Sequence, residues 1–350
     1  MPERRGSDQP EIVEIACDES GFTGGNLTFA HTVFAHASVR ISPEVAAEEM
    51  ARLRQRVAAR GELKASWLLR WCDRDDLSRL LGDRGVIETG FVHLSDIRLF
   101  LLLRLSDALL GSAPVNGLEL PGRDDVARAV ALTLRQSGEG VYGEDAWSAF
   151  LTAAGHALRA TSRWVPRTAA DDLAAALADL SRRPAPGSVR SAMRRLSASA
   201  QRARPLRLVL DADPRRPPLV EPLIPALMRA LQWWSSDQPS LRILHDEQSA
   251  LTRGRLAAMS RRLTAQRPGT AVEVIRLDSR DDPRVQVADL VAGISRRAAT
   301  GLLTGRSDPA LMELVRPLVD PESIWADDVW CVAAPEPTSP QAGGSSGVAS

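Results

Sequence analysis

The sequence predicts an α/β fold with a large all-helical insertion, and three observations predict it. A β-rich, acid-tipped segment opens the ordered part of the chain. Strand and helix patterns alternate again after residue 205, which implies parallel strands covered by helices. Between these two parts, residues 96–204 read as helix almost throughout.

Each element follows from local pattern. Residues 11–17 (EIVEIAC) alternate like a strand and deliver Asp18 and Glu19 to its C-terminal edge, with Gly21 turning the chain. Residues 27–39 are β-rich and predict the returning strand of a hairpin. Residues 43–60 have helical periodicity, with Gly61 as the stop. A helix near 74–82 and a strand over 86–94 follow. In the helical block, Pro121, Gly138, Gly143, Pro166 and Pro184 are expected stops. Strands are expected at 206–210, 241–245 and 272–277, with helices near 219–234, 250–264 and 285–299. The expected organisation is therefore disordered ends (1–10 and 334–350), an α/β core from 11–95 plus 205–333, and a helical insertion at 96–204.

Composition removes several function classes. The 350 residues carry no net charge, so no global field draws the protein to polyanions or membranes; such attraction must come from local patches. The strongly apolar run 99–103 is far too short to span a bilayer. Cys17, Cys72 and Cys331 lie far apart, which speaks against a zinc ribbon or disulfide framework and fits a cytoplasmic location. Aromatic residues are scarce at 4%, which argues against an extended base-stacking platform. No phosphate-loop or dinucleotide-binding glycine pattern is present, and Ser20 has no histidine–acid relay beside it.

One residue departs from the background chemistry. Lys64 is the single lysine in a chain whose other 43 basic residues are arginine. A position that keeps a compact ammonium where a planar guanidinium is the default suggests a need for a point charge. Lys64 stands two residues after Glu62.

Glu62 is one of four acidic placements. The others are Asp18-Glu19, Asp246-Glu247 after the strand LRILH, and Asp289 within Val285-Gln286-Val287-Ala288-Asp289-Leu290-Val291-Ala292-Gly293. On a helix, Val287, Leu290, Val291 and Ile294 form an apolar stripe. Asp289 sits at its edge, with Gln286 and Gly293 on its own face. Carboxylates converging at strand C-termini repel one another unless cations neutralise them, and oxygen-only donors suit one or two Mg²⁺ or Mn²⁺ ions. Two such ions can clamp an in-line phosphoryl displacement.

The order strand-DESG, E-x-K, strand-DE, then DS followed by VQVADLVAG resembles the DUF3800 family. The matching residues are Cys17-Asp18-Glu19-Ser20-Gly21, Glu62-Leu63-Lys64, Asp246-Glu247, Asp278-Ser279 and residues 285–293. The resemblance covers residues 11–95 and 205–300, not the helical middle. It implies a ribonuclease H-like mixed sheet flanked by helices, with Asp18, Glu62, Asp246 and Asp289 as metal ligands. The extra strand expected at 206–210, with Asp211 and Asp213, leaves open whether Asp211 or Asp246 is the third ligand; spacing to the last motif favours Asp246.

The expected function is Mg²⁺- or Mn²⁺-dependent phosphodiester hydrolysis of nucleic acid, RNA or DNA, with Lys64 neutralising phosphate charge or orienting the nucleophile. Two alternatives stand beside it: a non-catalytic nucleic-acid or partner-binding module of a defence or mobile-element system, and a metal-dependent phosphatase acting on a small substrate. Eight arginines between 182 and 207 without an acid, and Arg253, Arg255, Arg261 and Arg262, hint at a phosphate-contacting surface. His245 is a strand-end histidine that can shuttle protons. His31 and His36, five apart on a strand, face opposite ways. Trp233-Trp234 is expected to pack within a helix.

Overall fold

The computed structural model describes residues 12–21, 33–59, 61–82, 84–113, 115–159, 165–213, 216–238, 240–327 and 330. The ends expected to be disordered, and His31 and Cys331, lie outside these residues. The strands are β1 (Val13–Ser20), β2 (Val33–Arg40), β3 (Thr89–Asp96), β4 (Ser240–Asp246) and β5 (Ala271–Leu277). The helices before and within the central block are α1 (Pro43–Arg56), α2 (Ala65–Trp71), α3 (Arg74–Leu81), α4 (Ile97–Leu110), α5 (Asp125–Tyr142), α6 (Glu144–Leu158), α7 (Ala169–Arg182), α8 (Gly187–Ala198) and α9 (Ala203–Ala212). α10 (Leu223–Trp234), α11 (Arg253–Gln266), α12 (Pro283–Leu303) and α13 (Pro309–Val315) complete the described helices.

The strands form one mixed sheet in the order β3-β2-β1-β4-β5. β1, β2 and β3 are antiparallel neighbours, whereas β4 runs parallel to β1 and β5 parallel to β4. The C-terminal ends of β1, β4 and β5 therefore share one edge. Alternation sends even-numbered residues of β1 toward α12 and odd-numbered ones toward α10. Ala16 packs with Val287, Leu290 and Val291 of α12, whereas Ile15 and Cys17 pack with α10 and α11. Val287, Leu290, Val291 and Ile294 are fully buried, worth on the order of 1.5–3 kcal/mol each. That burial fixes α12 across the sheet and so fixes Asp289.

Helices α4 to α9 enclose an apolar cluster of their own. α4 starts directly at the end of β3, where Asp96 caps it by accepting from Arg98 N (3.0 Å) and Leu99 N (3.2 Å). It is apolar on nearly every side and buried accordingly. Its one fully buried cation, Arg104, donates to the carbonyls of Asn116 (2.8 Å) and Glu119 (2.7 Å).

Four expectations are corrected. Residues 206–210 are not a strand but the middle of α9, strongly amphipathic, with Leu210 buried and Leu208 exposed. A five-residue stretch such as LRLVL fits either state, and its helical neighbours decided it. Asp211 thus lies on a helix beside Arg207, away from any strand end, and loses its claim as an alternative to Asp246. Gly138 does not stop α5; it sits inside the helix, where a Cβ would strike the Trp147 ring, so it is a packing glycine. α1 ends at Arg56, before the expected stop at Gly61. The arginine run from 182 is less free than its sequence suggests: Arg182 and Arg183 pair with Asp179, Arg204 with Asp171 and Arg207 with Asp211.

Candidate active site at the sheet edge

Asp18 and Asp246 lie within the last residues of the adjacent parallel strands β1 and β4, not in the loops beyond them. Both even-numbered side chains face α12, the helix that carries Asp289. The strand C-termini and one helix thus bring three of the predicted acids together. Their mutual influence shows the convergence. Burial pushes the Asp18 carboxyl well above the usual range, and Glu19, Asp289 and Asp246 push it further; the Glu19 N–H, 2.7 Å from Asp18 Oδ1, opposes them. Asp289 is pushed up to about 6 by burial, with Glu62 and Asp246 adding to the rise and Lys64 opposing it.

The motif around Asp289 has a mechanical reading. After β5, the Ser279 N–H donates to Asp246 Oδ1 at 2.9 Å and holds that carboxylate. Gln286 Nε2 donates to the Ser279 carbonyl at 2.9 Å and holds the loop. Asp289 follows Gln286 by three residues, on the same helix face. Aspartate–serine and the helix motif therefore form one unit that orients two acids.

Gly293 explains the close approach of α2. A Cβ at Gly293 would lie 2.5 Å from the Ala65 Cβ and 3.9 Å from Ser20 Oγ. Only a bare backbone lets α2 settle on α12 there, which brings Lys64, the residue before α2, alongside Asp289. Gly21 works similarly at the end of β1: its φ is +96°, and a Cβ would strike the Val33 carbonyl and the Arg296 side chain.

Lys64 pairs with Glu62, and both are half exposed at the rim. Burial would lower the Lys64 ammonium, but the bond from Glu62 and the charges of Asp289 and Asp18 outweigh it and raise it. Lys64, Asp289, Ser20, Ser66, Arg70, Arg296 and Arg297 line a cleft of roughly 430 Å³. Arg296 Nε donates to Ser20 Oγ at 3.0 Å. The cleft thus joins the Asp289 carboxylate to the cations Lys64, Arg70, Arg296 and Arg297.

Sequence reasoning named the Asp18-Glu19 pair but assigned no role to Glu19, and it missed Glu221. Glu19 faces the other side of the sheet, toward α10. Burial pushes it up to about 8, and Asp246, Glu221 and Asp289 add to the rise. Its buried Oε2 has no hydrogen-bond partner and lies 4.0 Å from His245 Nε2. His245 Nδ1 is 2.9 Å from the Asp246 carbonyl, so Nδ1 is the donor and Nε2 presents a lone pair. Glu221 precedes α10 in a proline-rich apolar run; burial pushes it up to about 7, against the Leu223 N–H and the charges of Arg255 and Arg159. A lone acid in PPLVEPL was the available signal.

The donor set suits a hard divalent cation. It consists of carboxylate oxygens, held near one another without an arginine bonded to Asp18, Glu19 or Asp289 among the described residues. Among the described residues no group of three or more His, Cys, Asp or Glu side chains is gathered closely enough to hold a metal ion. Comparison with family models, with curated proteins and with solved structures returns no match. Among the described residues no helix is long and apolar enough to cross a membrane.

Proposed function

We propose that the protein is an Mg²⁺- or Mn²⁺-dependent nuclease built on a ribonuclease H-like sheet. One observation carries this reading: Asp18, Asp246 and Asp289 converge at the carboxyl edge of parallel strands, where burial and neighbouring carboxylates raise Asp18 and Asp289, beside the chain's single lysine. A meander of three antiparallel strands continued by two parallel strands agrees with that sheet type, as does the motif order that resembles DUF3800. Free Cys17 and Cys72 agree with a cytoplasmic enzyme.

Asp18, Asp246 and Asp289 would hold the ion, with Glu62 completing the set from the rim. A bound divalent ion would supply Lewis-acid stabilisation of the charge that develops on a phosphodiester under attack. The remaining roles belong to the chain's own groups. The Ser279 N–H keeps Asp246 in position, and Lys64 offsets charge on a phosphate oxygen. Arg70, Arg296 and Arg297 attract the polyanion. Buried acids without arginine cost stability and are retained where a ligand neutralises them.

The test is a cleavage panel. Labelled single-stranded RNA, single- and double-stranded DNA and RNA–DNA hybrid are incubated with Mg²⁺, Mn²⁺ or EDTA, using wild type and Asp18→Asn, with Mn²⁺ binding followed by calorimetry. The expected result is metal-dependent cleavage and metal binding that are both lost in the variant. Metal binding with no cleavage of any nucleic acid overturns the enzymatic reading in favour of a binding module. Undiminished cleavage by Asp18→Asn overturns the site.

A further inference from the structure

Helix α2 has the sequence Ala-Ser-Trp-Leu-Leu-Arg-Trp, and its faces are divided sharply. Leu68 is fully buried and holds the helix down. Ser66 and Arg70, one turn apart, line the acidic cleft. One step around the helix, Trp67 and Trp71 are also one turn apart, and they stand 41% and 57% exposed. The other described tryptophans behave differently. Trp147, Trp234, Trp325 and Trp330 are buried, and Trp233 stacks on Phe91 with ring centroids 4.9 Å apart. Leaving two indoles in water forgoes a large burial gain, so a pair of them on the helix that walls the cleft marks a contact surface.

The charge around them selects the partner. The Arg70 guanidinium lies over the Trp71 ring, 5.0 Å from its centroid. Arg70, Arg296 and Arg297 have no carboxylate partner among the described residues, although many arginines of this chain are ion-paired. Flat rings beside unpaired guanidinium groups fit a ligand with both π-faces and phosphates.

We propose that this face binds single-stranded nucleic acid, with bases stacked on Trp67 and Trp71 and the backbone on Arg70, Arg296 and Arg297, leading into the cleft at Lys64 and Asp289. Residues four apart on a helix are about 6 Å apart along its axis. Stacked bases of one strand repeat every ~3.4 Å. Bases resting on both indoles are therefore splayed, and a duplex, whose base faces are already covered, offers neither ring a partner. Two rings form a local grip and not the extended platform that the low aromatic content argued against. The proposal rests on the nuclease reading only for the direction in which the strand runs.

The test separates the two. Fluorescence anisotropy of labelled 12-nucleotide single strands and hairpin duplexes is measured in EDTA, where no metal-dependent step operates. Wild type, Trp67→Ala/Trp71→Ala, Trp67→Phe/Trp71→Phe and Arg70→Ala/Arg297→Ala are compared, with folding checked by circular dichroism. Single strands are expected to bind wild type at least about tenfold more tightly than duplex. The alanine pair is expected to lose about tenfold or more for single strands, and the phenylalanine pair to recover most of it. The arginine pair is expected to lower the slope of log affinity against log salt by about 1.4. Equal affinity for single strand and duplex, or wild-type binding by the alanine pair, overturns the proposal even if metal-dependent cleavage stands. No binding of either oligonucleotide also overturns it, and leaves the two indoles to a protein partner. Strong, tryptophan-dependent binding without cleavage supports it while the enzymatic reading falls.

Discussion

Buried acids in this protein live in two kinds of surroundings. Where α1 and α3 meet, Glu49 accepts from Arg52 (2.7 Å) and Arg79 (3.0 Å), and Asp76 accepts from Arg52 (2.5 Å) and Arg56 (2.9 Å). Burial alone would raise both carboxyls, but the arginines win and both are lowered. At the sheet edge, Asp18, Glu19 and Asp289 are raised instead: the Glu19 N–H opposes the rise at Asp18, and the Lys64 ammonium opposes it at Asp289. A chain with 43 arginines does not lack the means to neutralise three more acids. The first arrangement is structural: every charge is answered from within the chain. The second leaves a charge deficit that a bound cation would fill.

The largest effect should come from exchanging one acid in each region. Asp18→Asn should lower metal-dependent cleavage by about 10³-fold or more and raise the melting temperature in EDTA, because it removes a buried repulsive charge. Glu49→Gln should do the reverse: it removes the buried carboxylate that Arg52 and Arg79 share and costs on the order of 1.5–3 kcal/mol, while folded molecules still bind Mn²⁺. Thermal unfolding in EDTA with and without added Mn²⁺ reads both. An Asp18→Asn protein less stable than wild type in EDTA would mean that the edge acids are compensated after all.

How much of this contrast was legible in the sequence depends on which residues are asked about. Asp18, Asp246 and Asp289 could be named because strand alternation and helix periodicity are local, and because strand ends and helix faces limit where a carboxylate can go. The sheet was legible for the same reason, apart from α9, where the five residues LRLVL alone are too few to separate helix from strand. Glu221 was not legible: it sits beside Glu19 only because α10 crosses the opposite face of the sheet. Of the two arginine partners of Glu49, Arg52 stands at helix spacing, but Arg79 was equally hidden, since it lies thirty residues away. Nor could composition reveal that two of the described tryptophans stay exposed on one short helix, because exposure is decided by what else packs nearby.

A geometric change comes next in size. Gly293→Ala places a methyl group 2.5 Å from the Ala65 Cβ, so α2 must move off α12 and carry Lys64 with it. Cleavage should fall about 10–100-fold, because small displacements of positioning groups are costly. Stability should fall by only about 1–3 kcal/mol, the usual cost of overpacking. Wild-type turnover in Gly293→Ala would show that the contact of α2 with α12 does not position the site.

The far side of the sheet supplies a pH signature. Glu221 has a folded-state value near 7, above the ordinary 4.5. The folded state thus holds the proton more tightly, and stability falls as pH rises from about 4.5 to 7, reaching its full cost above 7. Glu221→Gln should remove on the order of 2–3 kcal/mol of that decline. Asp320 acts in the opposite sense: burial would raise it, but bonds from His93 and Arg229 lower it, and its contribution is lost only as pH falls below the ordinary carboxylate range. Denaturant unfolding from pH 4.5 to 8 separates them, and an unchanged slope in Glu221→Gln removes Glu221 from the edge electrostatics.

The smallest effect tests why one lysine persists. Lys64 holds Asp289 lower than burial, Glu62 and Asp246 would leave it. In Lys64→Ala, Asp289 should therefore bind its proton more tightly, and the acid limb of the pH profile for Mn²⁺ binding should move up by about 0.5–1 pH unit. Lys64→Arg keeps the charge but replaces a point ammonium with a planar fork already drawn to Glu62. If charge alone matters, Lys64→Arg restores the acid limb and the cleavage rate together. If the compact ammonium matters, Lys64→Arg restores the limb but not the rate. A limb that stays in place in Lys64→Ala would assign Lys64 to Glu62 alone, and the edge would then hold its acids with no cation of the chain's own.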